Sequence, residues 1–183
     1  MIFNSKALIT QKFSAPNKHF GVDVIPSDGT GLGANIYAPF SGYVMYLNQP
    51  GLAGYYLRMY PNTTGEGKSY LIFCHLNYND WKNRQNGIVE AGSIIGKMGN
   101  SGNATGAHVH LGLLLDGKYV DPLLFPEIQT YLGLTPGGQS FSQTGTGSIN
   151  YTNEISQFWK GLGGIEKIFI LLFGVWFVKQ YIL

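Results

Sequence analysis

The stretch "TGAHVHLGLLLDG", residues 105–117, holds two of the chain's four histidines, one residue apart, within an apolar run that ends in an Asp-Gly turn. Successive residues of a β-strand point to opposite faces of the sheet. An extended conformation therefore places His108 and His110 side by side on one face, while Val109 and Leu111 face a hydrophobic core. One histidine on a strand is most often a half-buried structural residue. Two on the same face indicate instead that the imidazoles share a metal ion or a proton.

The first 127 residues predict a mainly β domain. Short apolar segments alternate with Gly, Pro, Asn and Asp turns, and no long helical periodicity is present. The content of 26 glycines, and of 23 Tyr and Phe against 22 charged residues, favours the same class. We therefore expect a compact antiparallel β-sheet or sandwich. The predicted strands cover residues 21–25, 42–47, 55–60, 70–76, 94–98 and 108–115.

Composition also excludes some classes of function. The net charge is only +2, and no Lys/Arg cluster is interleaved with aromatic residues, so we expect no nucleic-acid partner. Cys74 is the single cysteine, which excludes an internal disulfide and predicts a small core residue. The first residues lack the basic and apolar segments of a cleavable secretory signal, so we expect any export to follow another route.

Beyond the predicted domain, residues 1–130, the composition changes twice. Residues 131–150 are predicted to be a flexible linker, because 135–150 carry no charge and consist largely of Gly, Ser, Thr and Gln. Residues 151–164 predict a short amphipathic helix. Residues 165–183 contain 14 apolar side chains and predict a hydrophobic helix. We expect a membrane anchor; burial against a partner or a second copy is the alternative.

A second polar cluster lies in "HFGVD", residues 19–23. In an extended segment His19 and Asp23 share one face, and Gly21 leaves the space between them free of a side chain. One imidazole and one carboxylate make half of a zinc site. The pattern is weak alone, but together with His-x-His on another strand it supplies enough ligands for a zinc ion with one open position.

The fourth histidine, His75, follows Cys74 in "YLIFCHLN", residues 70–77. On a strand the two side chains would point to opposite faces, which argues against a nucleophilic Cys–His pair. His75 is then free to face the same cleft as the other histidines.

These motifs together resemble the lysostaphin/LytM-type zinc metallopeptidases, and the resemblance extends from about residue 10 to residue 125. It rests on His-x-Gly-x-Asp, on an aromatic-rich strand ending in His-Leu, and on "GNSGNATGAHVHLGL", residues 99–113. Ser93 stands where the family usually has Gln, a mild departure. The resemblance implies that the zinc ligands are His19, Asp23 and His110. It implies that His75 and His108 are the catalytic histidines beside the metal, without deciding which of them is the general base.

The function implied by this resemblance is a zinc-dependent endopeptidase that cleaves peptide cross-links of bacterial peptidoglycan with a metal-activated water. The alternative is a non-catalytic wall-binding or activator module, or a structural envelope or virion component, that retains the fold. The hydrophobic tail, residues 165–183, is expected to contact a membrane or a virion protein. We therefore expect a bacteriophage protein, associated with the virion or anchored in a membrane; a bacterial membrane-anchored hydrolase is the second possibility.

Overall fold

The strand that carries His110 lies within an eight-stranded antiparallel sheet, and His108 directly precedes that strand. The computed structural model describes residues 1–136, which confirm the mainly β prediction. The strands are β1 (Ala7–Gln11), β2 (Val22–Pro26), β3 (Asn35–Tyr37), β4 (Gly42–Gln49), β5 (Gly54–Tyr60), β6 (Tyr70–Cys74), β7 (Gly87–Val89), β8 (Ile94–Lys97), β9 (Val109–Leu115) and β10 (Lys118–Val120). The large sheet has the order β1-β2-β9-β6-β5-β4-β7, with β10 paired to β9, and β3 and β8 form a separate two-stranded sheet.

One face of the large sheet is the hydrophobic core. Val109 and Leu111 of β9 are fully buried, as the alternation predicts, and Leu111 pairs with Phe73, which in turn pairs with Leu57. Each such apolar side chain contributes about 1.5–3 kcal/mol when it is removed from water. The opposite face is therefore the one on which His108 and His110 lie.

All six predicted strands are present, with small shifts at their ends. β4 extends two residues further than predicted, and β6 ends at Cys74 rather than at Leu76, because His75 has a left-handed backbone with φ of 63°. Cys74 is buried as predicted, and this burial raises the pKa of its thiol to about 12. The elements that the sequence analysis missed are short: β1, β3, β7, β10, the helices α1 (Tyr78–Trp81) and α2 (Pro126–Tyr131), and a 3-10 turn at Pro122–Leu124.

The end of the packed domain lies beyond the predicted boundary at residue 130. Tyr131 and Leu132 are buried, and their carbonyl oxygens accept hydrogen bonds from the backbone N–H groups of Ile2 and Ala7, each at 2.7 Å. These residues therefore belong to the domain rather than to a linker beginning at 131. The remainder of the predicted linker from 137, the amphipathic helix 151–164 and the tail 165–183 lie outside the described residues. Among residues 1–136, no helix has the length and apolar character needed to cross a membrane.

Candidate metal centre

Strand register brings Asp23 and His110 together. The two residues are direct partners on β2 and β9, and His110 Nδ1 lies 2.8 Å from Asp23 Oδ1. His19, in the loop before β2, completes the group, with Nε2 3.0 Å from Asp23 Oδ1 and 3.2 Å from His110 Nδ1. All three predicted metal ligands thus present a donor atom to the same point, within 4.8 Å of one another.

A hydrogen bond to the backbone determines which ring nitrogen of His19 carries the proton and which one faces Asp23. His19 Nδ1 lies 2.8 Å from the backbone oxygen of Lys12, a pure acceptor, so Nδ1 must be the N–H donor. In a neutral ring Nε2 then holds a lone pair, directed at a carboxylate oxygen. The lone pair on His19 Nε2 and those on the Asp23 oxygen repel each other unless a proton or a cation lies between the two atoms. The carbonyl of Lys12 holds the ring in the tautomer that a metal ligand needs.

The three ligand atoms fit zinc. Zinc is bound by histidine nitrogen and carboxylate oxygen at about 2.0–2.2 Å in tetrahedral geometry, for which ligand atoms are about 3.3 Å apart. The observed separations between His19, Asp23 and His110 are 2.8 to 3.2 Å. A set of two imidazoles and one carboxylate is also a ligand set of catalytic zinc sites.

Gly21 makes room for this arrangement. A Cβ atom at this position would lie 2.6 Å from His110 Nε2 and 2.6 Å from the backbone oxygen of Leu111. The His110 ring therefore occupies the space that any other residue at position 21 would fill. The predicted reason for glycine between His19 and Asp23 is confirmed, and the ring that needs the space is that of His110.

His108 lies at the edge of the ligand cluster. Its Nδ1 donates to the backbone oxygen of Gly106 at 2.9 Å, which leaves the Nε2 lone pair free in the neutral ring. This Nε2 lies 3.6 Å from Asp23 Oδ2. His108 and His110 therefore share one face of the sheet, as the alternation predicts, although β9 itself begins one residue after His108.

His75 joins the cluster by a different route from the one predicted. It is not on the strand: its left-handed backbone turns the chain after β6, and its ring centroid lies 4.7 Å from that of His108. His75 Nδ1 donates to the backbone oxygen of Ser101 at 2.8 Å, so its Nε2 is also available to the site. A non-glycine residue in this conformation costs about 1–3 kcal/mol, and such residues cluster at functional sites.

The loop that holds His75 is the glycine-rich segment before β9. Ser101 Oγ accepts from the Tyr55 N–H at 3.0 Å and donates to the Leu76 oxygen at 2.9 Å, which fixes the carbonyl that binds His75. Glycine is needed at position 102 because a Cβ there would overlap the backbone of Gly54 and Leu52. The resemblance to a known family identified this motif in the sequence, but the role of Ser101 could not be predicted from it. No sequence signal marks the backbone carbonyl of Lys12, which accepts the hydrogen bond from His19.

Burial and neighbouring charges both shift the pKa values of Asp23 and His75. Asp23 and His75 are the only charged or strongly polar residues that are buried in the described part of the chain. Burial alone would raise the pKa of Asp23, but the hydrogen bond and charge of His110, with the charges of His108 and His19, lower it on balance. Burial lowers the pKa of His75, and the neighbouring charges of His108 and His110 add to this effect. The site therefore favours a carboxylate and a neutral His75.

A family model supports the assignment of this domain. The model of peptidase family M23 matches residues 17–122, more than half of the 183 residues and a span that contains all five site residues. The chain belongs to peptidase family M23.

The domain is similar to several solved structures. The catalytic domain of a mutant of the prophage-encoded M23 protein EnpA from Enterococcus faecalis is 23% identical, with a TM-score of 0.50, and the match covers 66% of this chain and 92% of that one. A peptidase M23 from Pseudomonas aeruginosa is 26% identical, with a TM-score of 0.48, over 69% of this chain and 49% of that one. Lysostaphin from Staphylococcus simulans is 22% identical, with a TM-score of 0.49, over 78% and 56%. The chain thus spans about half the length of the Pseudomonas aeruginosa protein.

Proposed function

We propose that this M23 protein is a zinc-dependent endopeptidase that hydrolyses peptide bonds in peptidoglycan cross-links. The observation that carries the proposal is the convergence of His19, Asp23 and His110 on one point, with His75 and His108 beside them. Three protein ligands leave a fourth position open, as in catalytic rather than structural zinc sites. Zinc bound there would act as a Lewis acid on the peptide carbonyl and on water.

The two flanking histidines supply the proton transfers. Each donates its Nδ1–H to a backbone carbonyl, so each neutral ring presents the Nε2 lone pair to the site. Either ring can therefore accept a proton from water at Nε2. Once protonated, the same atom can donate to the developing oxyanion or to the leaving amine. The fixed Nδ1 bonds hold both rings in position, which lowers the cost of orienting them in the transition state.

The test separates metal binding from proton transfer. Full-length wild type, His108→Ala and His19→Ala are compared for zinc content and for release of new amino termini from purified peptidoglycan. We expect His108→Ala to keep zinc but lose turnover by about 100-fold or more, the usual contribution of general acid–base catalysis. We expect His19→Ala to lose both zinc and turnover.

The same experiment examines the non-catalytic alternative. Equal release of amino termini by wild type and His108→Ala would overturn the peptidase proposal and favour a wall-binding or structural module. Digestion of walls with different cross-bridges, followed by mass analysis of the fragments, then identifies the bond that is cleaved.

We also propose that the protein works at a virion or membrane, reached through residues 165–183, as a bacteriophage enzyme for wall entry or release. The apolar composition of this segment supports the proposal, since a segment with 14 apolar side chains in 19 residues is stable only when it is shielded from water. Detection of the full chain in purified phage particles or in membrane fractions, and its loss from both after truncation at residue 164, is the expected result. Equal recovery of both proteins in the soluble fraction of uninfected cells would contradict it.

A further inference from the structure

Arg58 lies on the same face of the large sheet as the candidate metal centre. It pairs with Ile72, and Ile72 pairs with Gly112, two residues after His110 on β9. Directly paired residues share a face, and so do residues two apart on a strand. Arg58 is thus two strands and two residues from His110, a separation of about 12 Å between backbone positions.

Tyrosines surround the guanidinium group. Its central carbon lies 4.9 Å from the ring centroid of Tyr70 and 5.9 Å from that of Tyr56, distances at which cations and aromatic faces attract. Burial would lower the pKa of Arg58, but a hydrogen bond to Tyr60 and the other tyrosines raise it, so the group stays charged. Tyr119, stacked on Phe20 with a centroid distance of 5.2 Å, lies on the same face.

Among the residues that the structure describes, the guanidinium has no anionic partner. Its Nε is buried and has no hydrogen-bond partner within residues 1–136, and no carboxylate in that range forms an ion pair with it. The chain's other arginine differs: Arg84 donates from two nitrogens to both oxygens of Asp80, at 3.0 and 2.9 Å. A buried N–H donor without an acceptor is costly, and a ligand oxygen that accepts from this Nε would remove that cost.

We propose that Arg58 binds a carboxylate of the peptide substrate and so contributes to the choice of cross-link; this rests on the proposed function. The planar guanidinium fork matches a carboxylate in two parallel hydrogen bonds, which a carboxamide cannot reproduce. An extended peptide advances about 3.3 Å per residue, so the carboxylate lies about three to four residues from the bond that is cleaved. The tyrosines around Arg58 pack against the apolar part of that peptide.

Binding, rather than turnover, tests this inference. The probe is a synthetic peptidoglycan stem peptide, with a series in which each carboxylate in turn is replaced by a carboxamide. Affinities are measured on the full-length, zinc-loaded His108→Ala protein, which is expected not to cleave the peptides. We expect one replacement to weaken binding by about tenfold or more, the usual value of a charged hydrogen bond.

Substitutions at position 58 then locate the effect. In the same His108→Ala protein, Arg58→Gln should bind the unmodified peptide only as tightly as the Arg58 protein binds the peptide whose carboxylate replacement weakened binding. The affinity for that carboxamide peptide should be the same with and without Arg58→Gln. Arg58→Lys, which keeps the charge but not the fork, should give an intermediate value. Lys97→Gln, which removes one exposed positive charge from β8, is the matched control and should leave the whole series unchanged.

Two results would overturn the inference. One is equal affinity across the peptide series, or no detectable binding of any member; this comparison needs no substitution at Arg58, so poor folding of a variant does not affect it. The other is an equal loss of affinity for all peptides in Arg58→Gln, which indicates a structural role. Wild type that discriminates between the peptides but does not hydrolyse peptidoglycan would overturn the peptidase proposal alone.

Discussion

His110 Nδ1 lies 2.8 Å from Asp23 Oδ1, although 87 residues separate the two in the chain. The contact exists because β2 and β9 are neighbours in the sheet and these two residues are direct partners. The same oxygen faces His19 Nε2 at 3.0 Å. Asp23 is therefore the centre of the ligand cluster, and it carries the negative charge that a cation there would need.

Neutralising Asp23 should weaken zinc binding strongly. Asp23→Asn keeps the size of the side chain but removes the charge, so we expect zinc affinity to fall by more than the roughly 10–100-fold that the loss of an outer-shell partner costs. Competition with a chromophoric chelator measures it. Asp28→Asn, an exposed turn residue on another loop, is the control and should bind zinc like wild type. Unchanged affinity in Asp23→Asn would rule out Asp23 as a ligand.

A methyl group at position 21 should disturb the same cluster from the other side. In Gly21→Ala the Cβ meets His110 Nε2 and a backbone oxygen, and the backbone cannot move freely. We expect a loss of about 1–3 kcal/mol of folding free energy and at least about tenfold weaker zinc binding. Urea unfolding and chelator competition measure these. Gly31→Ala, where a Cβ meets nothing within 4 Å, should behave as wild type.

Ser101 is expected to act through His75 rather than on the metal. Ser101→Ala removes both hydrogen bonds of the hydroxyl, at a cost of about 1–3 kcal/mol, and releases the carbonyl that orients the His75 ring. We predict lower kcat with unchanged zinc content, measured on peptidoglycan. Ser41→Ala provides the comparison, because Ser41 Oγ also makes two hydrogen bonds, to Glu90 and Ala91. A similar fall in kcat for both variants would point to general destabilisation instead.

The stability contributed by His75 should depend on pH in a defined direction. Burial holds the pKa of His75 below its ordinary value of 6.5, so the folded protein binds fewer protons here than the unfolded chain does. Its contribution is complete above about pH 6.5 and is lost as the pH falls through the folded-state pKa. In zinc-free protein, the stability of wild type relative to His75→Gln should fall by up to about 1.4 kcal/mol per pH unit in that window.

Urea unfolding of both proteins from about pH 7.5 to about pH 5 measures this difference, since groups common to both cancel. A difference that stays constant over the range would show that His75 titrates alike in the folded and unfolded states. A difference that grows toward acid would show that the pKa is raised rather than lowered.

Local patterns were enough to predict much of this domain. The alternation around His108 and His110 correctly places both side chains on one face of the sheet, because the direction of a side chain in an extended segment depends only on position parity. The extended segment predicted from His19 to Asp23 is present only in part, since β2 begins at Val22 and His19 reaches the site from the preceding loop. The glycine at position 21 was also interpreted correctly, as a residue that leaves space. The linker boundary at 131 did not hold for Tyr131 and Leu132, because their burial depends on Ile2 and Ala7 at the other end of the domain.

The amino-acid sequence by itself determined the β class, the residues able to bind a metal, and the face that His108 and His110 share, since these follow from residue type and a period of two. Only the tertiary structure decided that Asp23 is opposite His110, that His75 leaves its strand in a left-handed turn, and that backbone carbonyls of Lys12, Gly106 and Ser101 hold the imidazole tautomers. Only the tertiary structure placed Arg58 on the face of the sheet that carries His110. The pairing of Asp23 with His110 and the position of Arg58 relative to His110 join residues far apart in the chain, and the packing of the whole sheet, rather than any local preference, sets the register between them.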